Sequence, residues 1–303
     1  MSLPHAATPS AVSTSSGLWI RAMPFVFVLI WSTGFIVAKF GLPYAPPLTF
    51  LTLRYIGVLV ALLPVVWLVR APWPHGQVRH IAISGILIHG GYLAGVWCAI
   101  KAGMPAGLAA LMVGLQPVLT AFAAPLIGEA VRARQWVGLV LGISGVALVV
   151  SSKISMIGLT MPTILQALMA LLSITAGTLY QKRFSPRFDL RIGTAIQFFA
   201  CLVVTLPFAV VLEGLTPSFD AVQWTPQFIG ALLWAVLALS IGAVFLLFAL
   251  IRKSAATEVT SLLYLTPPTT ALMAWLMFGE VFSLTGALGM LLAITGVAFV
   301  VKK

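Results

Sequence analysis

Long apolar runs separated by short polar or proline-rich links organise this chain from Leu18 onward. A helix needs about 20 mostly apolar residues to cross the hydrocarbon of a bilayer. Read with that ruler, the pattern predicts ten spans, at 18–39, 48–69, 80–101, 105–127, 134–152, 162–181, 191–212, 226–251, 257–278 and 283–301. The links carry helix breakers, such as Pro43-Tyr44-Ala45-Pro46-Pro47, Pro72-Trp73-Pro74 and Ser185-Pro186. Several links are so short that neighbouring spans must run antiparallel. Ahead of the first span, Met1–Gly17 is Ser/Thr/Ala-rich and without Lys or Arg. It lacks the basic and apolar regions of a cleaved signal, and reads as a mobile tail before an uncleaved anchor.

The pattern is also written twice. Pro117–Val150 and Pro268–Val301 agree at 12 of 34 positions with a shift of 151, including Gly128-Glu129 with Gly279-Glu280 and Gly145-Val146-Ala147 with Gly296-Val297-Ala298. Spans 4 and 5 thereby fall on spans 9 and 10. A fainter echo sets Leu29, Gly34 and Lys39 on Leu172, Gly177 and Lys182. Each copy then holds five spans, and an odd number forces the second copy to enter the membrane upside down. The expected fold class is an all-α membrane protein. Its ten transmembrane helices form two inverted five-helix repeats, 18–152 and 153–303, around a central cavity. That symmetry gives a transporter two nearly equivalent packings, one open to each side.

Composition sharpens this reading. The chain is 61% hydrophobic and 8% charged, too apolar for a water-soluble fold. Its net charge of +11 forms no basic face interleaved with aromatics, so nucleic acid is not an expected partner. Instead the charge reports topology. Thirteen of the 17 Lys and Arg fall on the side of the two termini, and three (Lys39, Lys101, Lys153) on the other. The bias predicts both termini in the cytoplasm. Cys98 and Cys201 lie in separate apolar runs and read as packing residues.

A transport site is expected where helices are interrupted at matching places in the two halves. Gly114-Leu115-Gln116-Pro117 in span 4 and Leu265-Thr266-Pro267-Pro268 in span 9 fit. Each break lies about 12 residues into its span, roughly 18 Å along it and so near the midplane. A mid-helix proline cannot donate its backbone bond and releases the carbonyl four residues back, here those of Val113, Leu263 and Tyr264. The plainer alternative is that these prolines only kink packed helices. Substrate-binding candidates at this depth are Trp31, Thr33, Arg54, His89, Tyr92, Gln116, Thr178, Trp234, Tyr264 and Thr266. Aromatic rings with a polar tip suit a flat, amphipathic solute, although Tyr, Trp and a lone His also serve as packing. Arg54, the one formal charge deep in a span, needs a partner in the bundle interior. Either a solute carboxylate or phosphate, or the carbonyls of a broken helix, would serve. Hinges are expected at Pro24, Gly34, Pro117, Gly177, Gly242, Pro267 and Pro268. Gly91-x-x-x-Gly95 and Gly138-x-x-x-Gly142 predict close helix contacts. A monomer is expected, a dimer through spans 5 and 10 being the alternative.

What is missing narrows the chemistry. All six acids (Glu129, Asp189, Glu213, Asp220, Glu258, Glu280) lie in links or at span ends. A pump trading protons for a cation needs an intramembrane acid, so neutral, zwitterionic or anionic solutes are favoured. The four histidines form no ligand set, so neither metal nor cofactor is expected. No H-E-x-x-H or G-x-S-x-G is present to support an intramembrane enzyme.

The stretches 106–150 and 256–301 each hold small residues, a proline, a Gly-Glu pair and a last helix with Gly-Val near its end. In these features, and in Arg54 following Pro46-Pro47, the chain resembles the drug/metabolite transporter superfamily and its ten-helix EamA-type branch. The resemblance implies solute export across the bacterial inner membrane through a cavity formed by both halves. Within the branch it is most like bacterial exporters of aromatic amino acids and paraquat. The function expected is a secondary transporter or facilitator exporting small metabolites, including aromatic amino acids, by alternating access. The alternatives are an exporter of another neutral or anionic metabolite or drug and, from another class, an intramembrane enzyme.

Overall fold

Where no water reaches, every backbone N–H and C=O must be paired within the chain. In the computed structural model the described residues accordingly form helices and no strand. The structure describes residues 14–70, 72–104, 109, 112–151, 160–253, 256–278 and 284–301. In chain order the helices are α1 (Thr14–Gly41), α2 (Pro47–Val69) and α3 (Val78–Lys101). Next come α4 (Gln116–Ile127), α5 (Ala133–Ser151), α6 (Met161–Phe184) and α7 (Leu190–Glu213). The last are α8 (Pro226–Arg252), α9 (256–278) and α10 (Leu284–Val301). Among the described residues α2, α3, α6, α7 and α8 are long and apolar enough to cross a membrane, and shorter apolar helices cover Ala22–Ala38, Gln116–Ile127 and Ala287–Val300. The first helix starts a turn earlier than the apolar pattern suggests, at Thr14. The rest of the expected tail, 1–13, and Lys153 lie outside the described residues.

Local chemistry fixes the helix ends. Pro47 opens α2 with its φ already set, and two of the next N–H groups, of Leu48 and Thr49, donate to the Glu213 carboxylate at 2.8 and 2.7 Å. The Thr49 hydroxyl donates to the same group at 2.9 Å. One acid at the C-terminal end of α7 thus satisfies orphan donors at the start of α2. Thr160 and Thr163 form a reciprocal cap on α6, and Asp189 caps α7.

The outside is apolar: Leu126 is 82% exposed and Trp67 79%. In water such a surface would aggregate; in lipid it is the solvated face. The inside is packed by Phe27, Phe50, Tyr55, Phe198, Phe228 and Phe248, all nearly inaccessible.

The pairings follow a rule. Helix α5 packs on α10, α2 on α7, α3 on α6 and α7, α4 on α6, and α1 on α8 and α9, with α2 also meeting α8. Adding five to each number maps α3·α6 onto α8·α1, α4·α6 onto α9·α1 and α3·α7 onto α8·α2. The pairs α2·α7 and α5·α10 map onto themselves. Direction is equally clear. A β-carbon on Gly138 would lie 2.6 Å from the Gly296 oxygen, and one on Gly145 2.5 Å from the Gly289 oxygen. As α5 ascends, its contacts descend α10, so the two run antiparallel through glycine-lined backbones. These glycines are spent on contact inside one chain. Gly91 and Gly95 likewise let α3 close on Ser173, Gln166 and Ala170 of α6.

Candidate functional site

Two helices depart from α geometry at their centres. Ile86–Gly91 of α3 and Ala235–Ala243 of α8 are π-helical turns. Carried back from spans 4 and 5, the shift of 151 sends the first range inside the second and sets His89 against Ser240. A π-turn widens the helix and redirects its side chains. Here Ser240 meets Arg54 of α2, and His89 lines the same cavity as Arg54.

Arg54 is buried at 4% exposure. Its Nε donates to the Ser240 hydroxyl at 2.6 Å, and that hydroxyl donates to the Ala235 carbonyl at 2.8 Å. Among the described residues the Arg54 Nη groups have no hydrogen-bond acceptor and no carboxylate forms an ion pair with them. His89 stacks on Phe198 with ring centroids 4.7 Å apart, and its Nε2 is buried without a partner. Its carbonyl accepts from the Tyr55 hydroxyl at 2.8 Å.

Above this floor opens a small, partly enclosed cavity. Arg54, His89, Trp31, Tyr92 and Gly34 from the first half and Leu239 and Val244 from the second line it. Trp31 and Tyr92 lie parallel, 7° apart with centroids at 6.2 Å. The same two rings line a smaller adjoining pocket, walled by Val113, Gly114, Leu263 and Thr266. Those residues are the interruptions themselves. A turn at Gly114-Leu115 precedes α4, and a 3₁₀ segment, Leu262–Leu265, precedes Thr266-Pro267-Pro268. The Thr266 hydroxyl is buried without a partner, while its carbonyl faces the Ser32 hydroxyl at 3.5 Å.

The cavity therefore unites Trp31, Arg54, His89 and Tyr92, and Thr266 lines the pocket beside it. Gln116 and Thr178 pair with each other, Nε2 donating to the hydroxyl at 3.3 Å, beside the α4 break and outside the lining. Tyr264 is buried against Gly142 of α5, its hydroxyl unpaired. Thr33 and Trp234 are not brought to the cavity: the indole N–H donates to the Thr33 hydroxyl at 2.8 Å on the outer face. Of the expected hinges, Gly34 lines the cavity, Pro24 lies within α1, and Pro117, Pro267 and Pro268 follow the breaks. Gly177 packs on Leu87 and Ile88 of the first π-turn, and Gly242 belongs to the second.

A second polar layer was not singled out by the sequence. Below His89, Ser84 donates to the Gln181 Oε1 at 2.7 Å, and Gln197 Nε2 donates to both, at 3.0 Å each. All three are buried, and the Gln197 Oε1, Thr194 Oγ1 and Ser185 Oγ have no partner. This layer joins α3, α6 and α7 at the end where Arg79 and Arg183 lie. The cavity walls run the other way, to Ala38 and Ile100 beside Lys101. The signal available was three amide side chains, Gln166, Gln181 and Gln197, inside apolar spans; none has a place there without a polar partner.

An apolar helical bundle with a central, partly polar cavity is the form of a multi-pass membrane transporter. The chain belongs to the EamA-like transporter family, matching it twice, over residues 18–151 and 161–302, consistent with the drug/metabolite transporter superfamily. It is 30% identical over 288 residues to the "Uncharacterized transporter YvbV" of Bacillus subtilis (strain 168), covering 91% of this chain and 89% of the relative. It is 29% identical over 210 residues to a "Probable amino-acid metabolite efflux pump" of Salmonella typhimurium, covering 67% of this chain and 69% of that one. The "Uncharacterized inner membrane transporter YedA" of Escherichia coli (strain K12) is 26% identical over 263 residues, 86% of this chain and 83% of the relative. A solved crystal structure matches 95% of this chain and 96% of its own with TM-score 0.73 at 19% identity, which speaks for the fold.

Proposed function

We propose that this protein exports small metabolites, amino acids and aromatic ones among them, as a secondary transporter or facilitator working by alternating access. The observation that carries the reading is the cavity between the halves, floored by Arg54 and His89 and flanked by Trp31 and Tyr92, with a smaller pocket beside it lined by residues of both helix breaks. The aromatic rings offer faces and edges on which a flat apolar group can pack, and polar groups at the floor can hold its charged end. The relatives described as amino-acid metabolite efflux pumps, at 29% and 28% identity, point the same way.

In this reading the ten helices are two inverted five-helix repeats, 18–152 and 153–303. Antiparallel packing of α5 on α10, and pairings that survive the shift by five helices, support it. The Lys and Arg bias supports cytoplasmic termini in a bacterial inner membrane, and an inner-membrane relative agrees. The Ser84–Gln181–Gln197 layer then closes the cytoplasmic side and the mouth beside Lys101 faces outward. Transport would break that layer and close the outer mouth, with the interruptions at Gly114 and Leu265 taking up the bend.

The test is counterflow. Proteoliposomes preloaded with unlabelled L-phenylalanine and diluted into the labelled amino acid are expected to accumulate label transiently above equilibrium. Failure to overshoot with any member of an amino-acid panel, with and without a pH gradient, refutes amino-acid export.

A further inference from the structure

A guanidinium is almost never left in a dry interior without an anion, because its desolvation is not offset by neutral partners alone. Arg54 is buried at 4% exposure and is walled by protein except where it borders the cavity. One hydroxyl, from Ser240, occupies Nε. The Nη face borders the cavity, and among the described residues no carboxylate reaches it. The acids that are described are engaged elsewhere. Glu213 caps α2, Asp189 binds Arg191 at 2.7 Å, Asp220 is held by Thr216 and Ser218, and Glu129 lies 3.9 Å from Lys182. Nor can the charge retreat to the interface, since Tyr55, Phe50 and Val58 pack α2 tightly on either side of it. Among the described residues, then, the charge of Arg54 has no anionic partner and its one open side is the cavity.

We propose that Arg54 is a carboxylate subsite: the anionic end of the cargo docks on its Nη edge, while Ser240 fixes the plane of the guanidinium. This rests on the exporter reading above and adds to it a chemical requirement that the cargo be an acid. The Nη edge presents parallel N–H donors that match the two oxygens of a carboxylate. Trp31 and Tyr92 stand on the same cavity wall to receive the remainder. A resident inorganic anion such as chloride could supply the same neutralisation, and the two sources give opposite results below.

The experiment compares an acid with its amide. In wild-type proteoliposomes, unlabelled L-phenylalanine and 3-phenylpropionate should compete with labelled L-phenylalanine. Phenylalaninamide and phenethylamine should compete on the order of tenfold or more weakly, the difference a charge-assisted bond makes. Arg54→Gln should erase this acid-over-amide preference. Arg54→Lys should keep the preference at reduced affinity, and Ser240→Ala should weaken it with the charge in place. Equal competition by acid and amide in the wild type overturns the proposal without any variant. So does a preference that survives in Arg54→Gln. Replacing chloride by methanesulfonate, which carries no carboxylate, should leave transport unchanged; a chloride dependence lost in Arg54→Gln assigns the subsite to the inorganic ion and overturns the cargo assignment. If neither acids nor amides are moved or compete, the exporter reading itself has failed, and the subsite with it.

Discussion

Charged residues here do structural work at the rim and leave the centre to one cation. Asp189 illustrates the rim. It accepts from the Arg191 backbone N–H at 2.9 Å and from the Arg191 guanidinium at 3.1 and 2.7 Å. These bonds, the side-chain ones first, hold its carboxyl below the usual carboxylate range. A carboxyl whose folded pKa is depressed stabilises the fold above its unfolded pKa and loses that contribution as pH falls through the folded value. Asp189→Asn keeps the cap and removes the charge. The variant is expected to melt slightly below wild type near neutral pH, since solvent screens the Arg191 side of the pair. That gap should close in acid below the carboxylate range, as thermal unfolding in detergent at the two pH values will report. A gap that persists in acid would assign the effect to shape. At the centre, Arg54 and His89 were legible in the sequence because a charge and an imidazole stand out in apolar runs. Thr33 and Trp234 drew equal notice, yet their mutual hydrogen bond satisfies both on the outer face; depth along a helix does not reveal which way a side chain points.

The helices themselves were largely written in the apolar pattern, and their interruptions only in part. Prolines announce a break, so the irregular segments at Gly114-Leu115 and Leu262–Leu265 could be anticipated. The π-turns at Ile86–Gly91 and Ala235–Ala243 contain no proline, and no local propensity distinguishes them. Only the shift of 151 relating His89 to Ser240 hints that the two places correspond. The polar layer of Ser84, Gln181 and Gln197 draws on three helices, and a pairing of that kind is invisible until the helices are packed. The proline breaks carry an element-scale prediction. Replacing Pro117 and Pro268 together by Ala restores one backbone donor at each break, Pro267 remaining in α9, and should slow counterflow several-fold while the protein still inserts and purifies as a folded species. Unchanged flux would confine the prolines to packing.

At the scale of the molecule, one relation ties the observations together. The helix pairs repeat when five is added to each number, the equivalent helices α5 and α10 run antiparallel, and the cavity lies where the halves meet. A duplicated unit set against its inverted copy has two packings of similar free energy, and a solute that binds between them can exchange one for the other. The conformation described here is closed by the Ser84 layer at one end and walled as far as Ile100 at the other. Its counterpart should reverse this. The sharpest measurement places single cysteines at these two levels, Ser84→Cys and Val96→Cys, with Cys98 and Cys201 replaced by alanine, and labels each with an impermeant maleimide from either side of oriented vesicles. The account predicts that position 96 is reached only from outside and position 84 only from the cytoplasm. Saturating L-phenylalanine should move the two labelling rates in opposite directions. Rates that rise and fall together, or two positions reached from the same side, would contradict alternating access around this cavity.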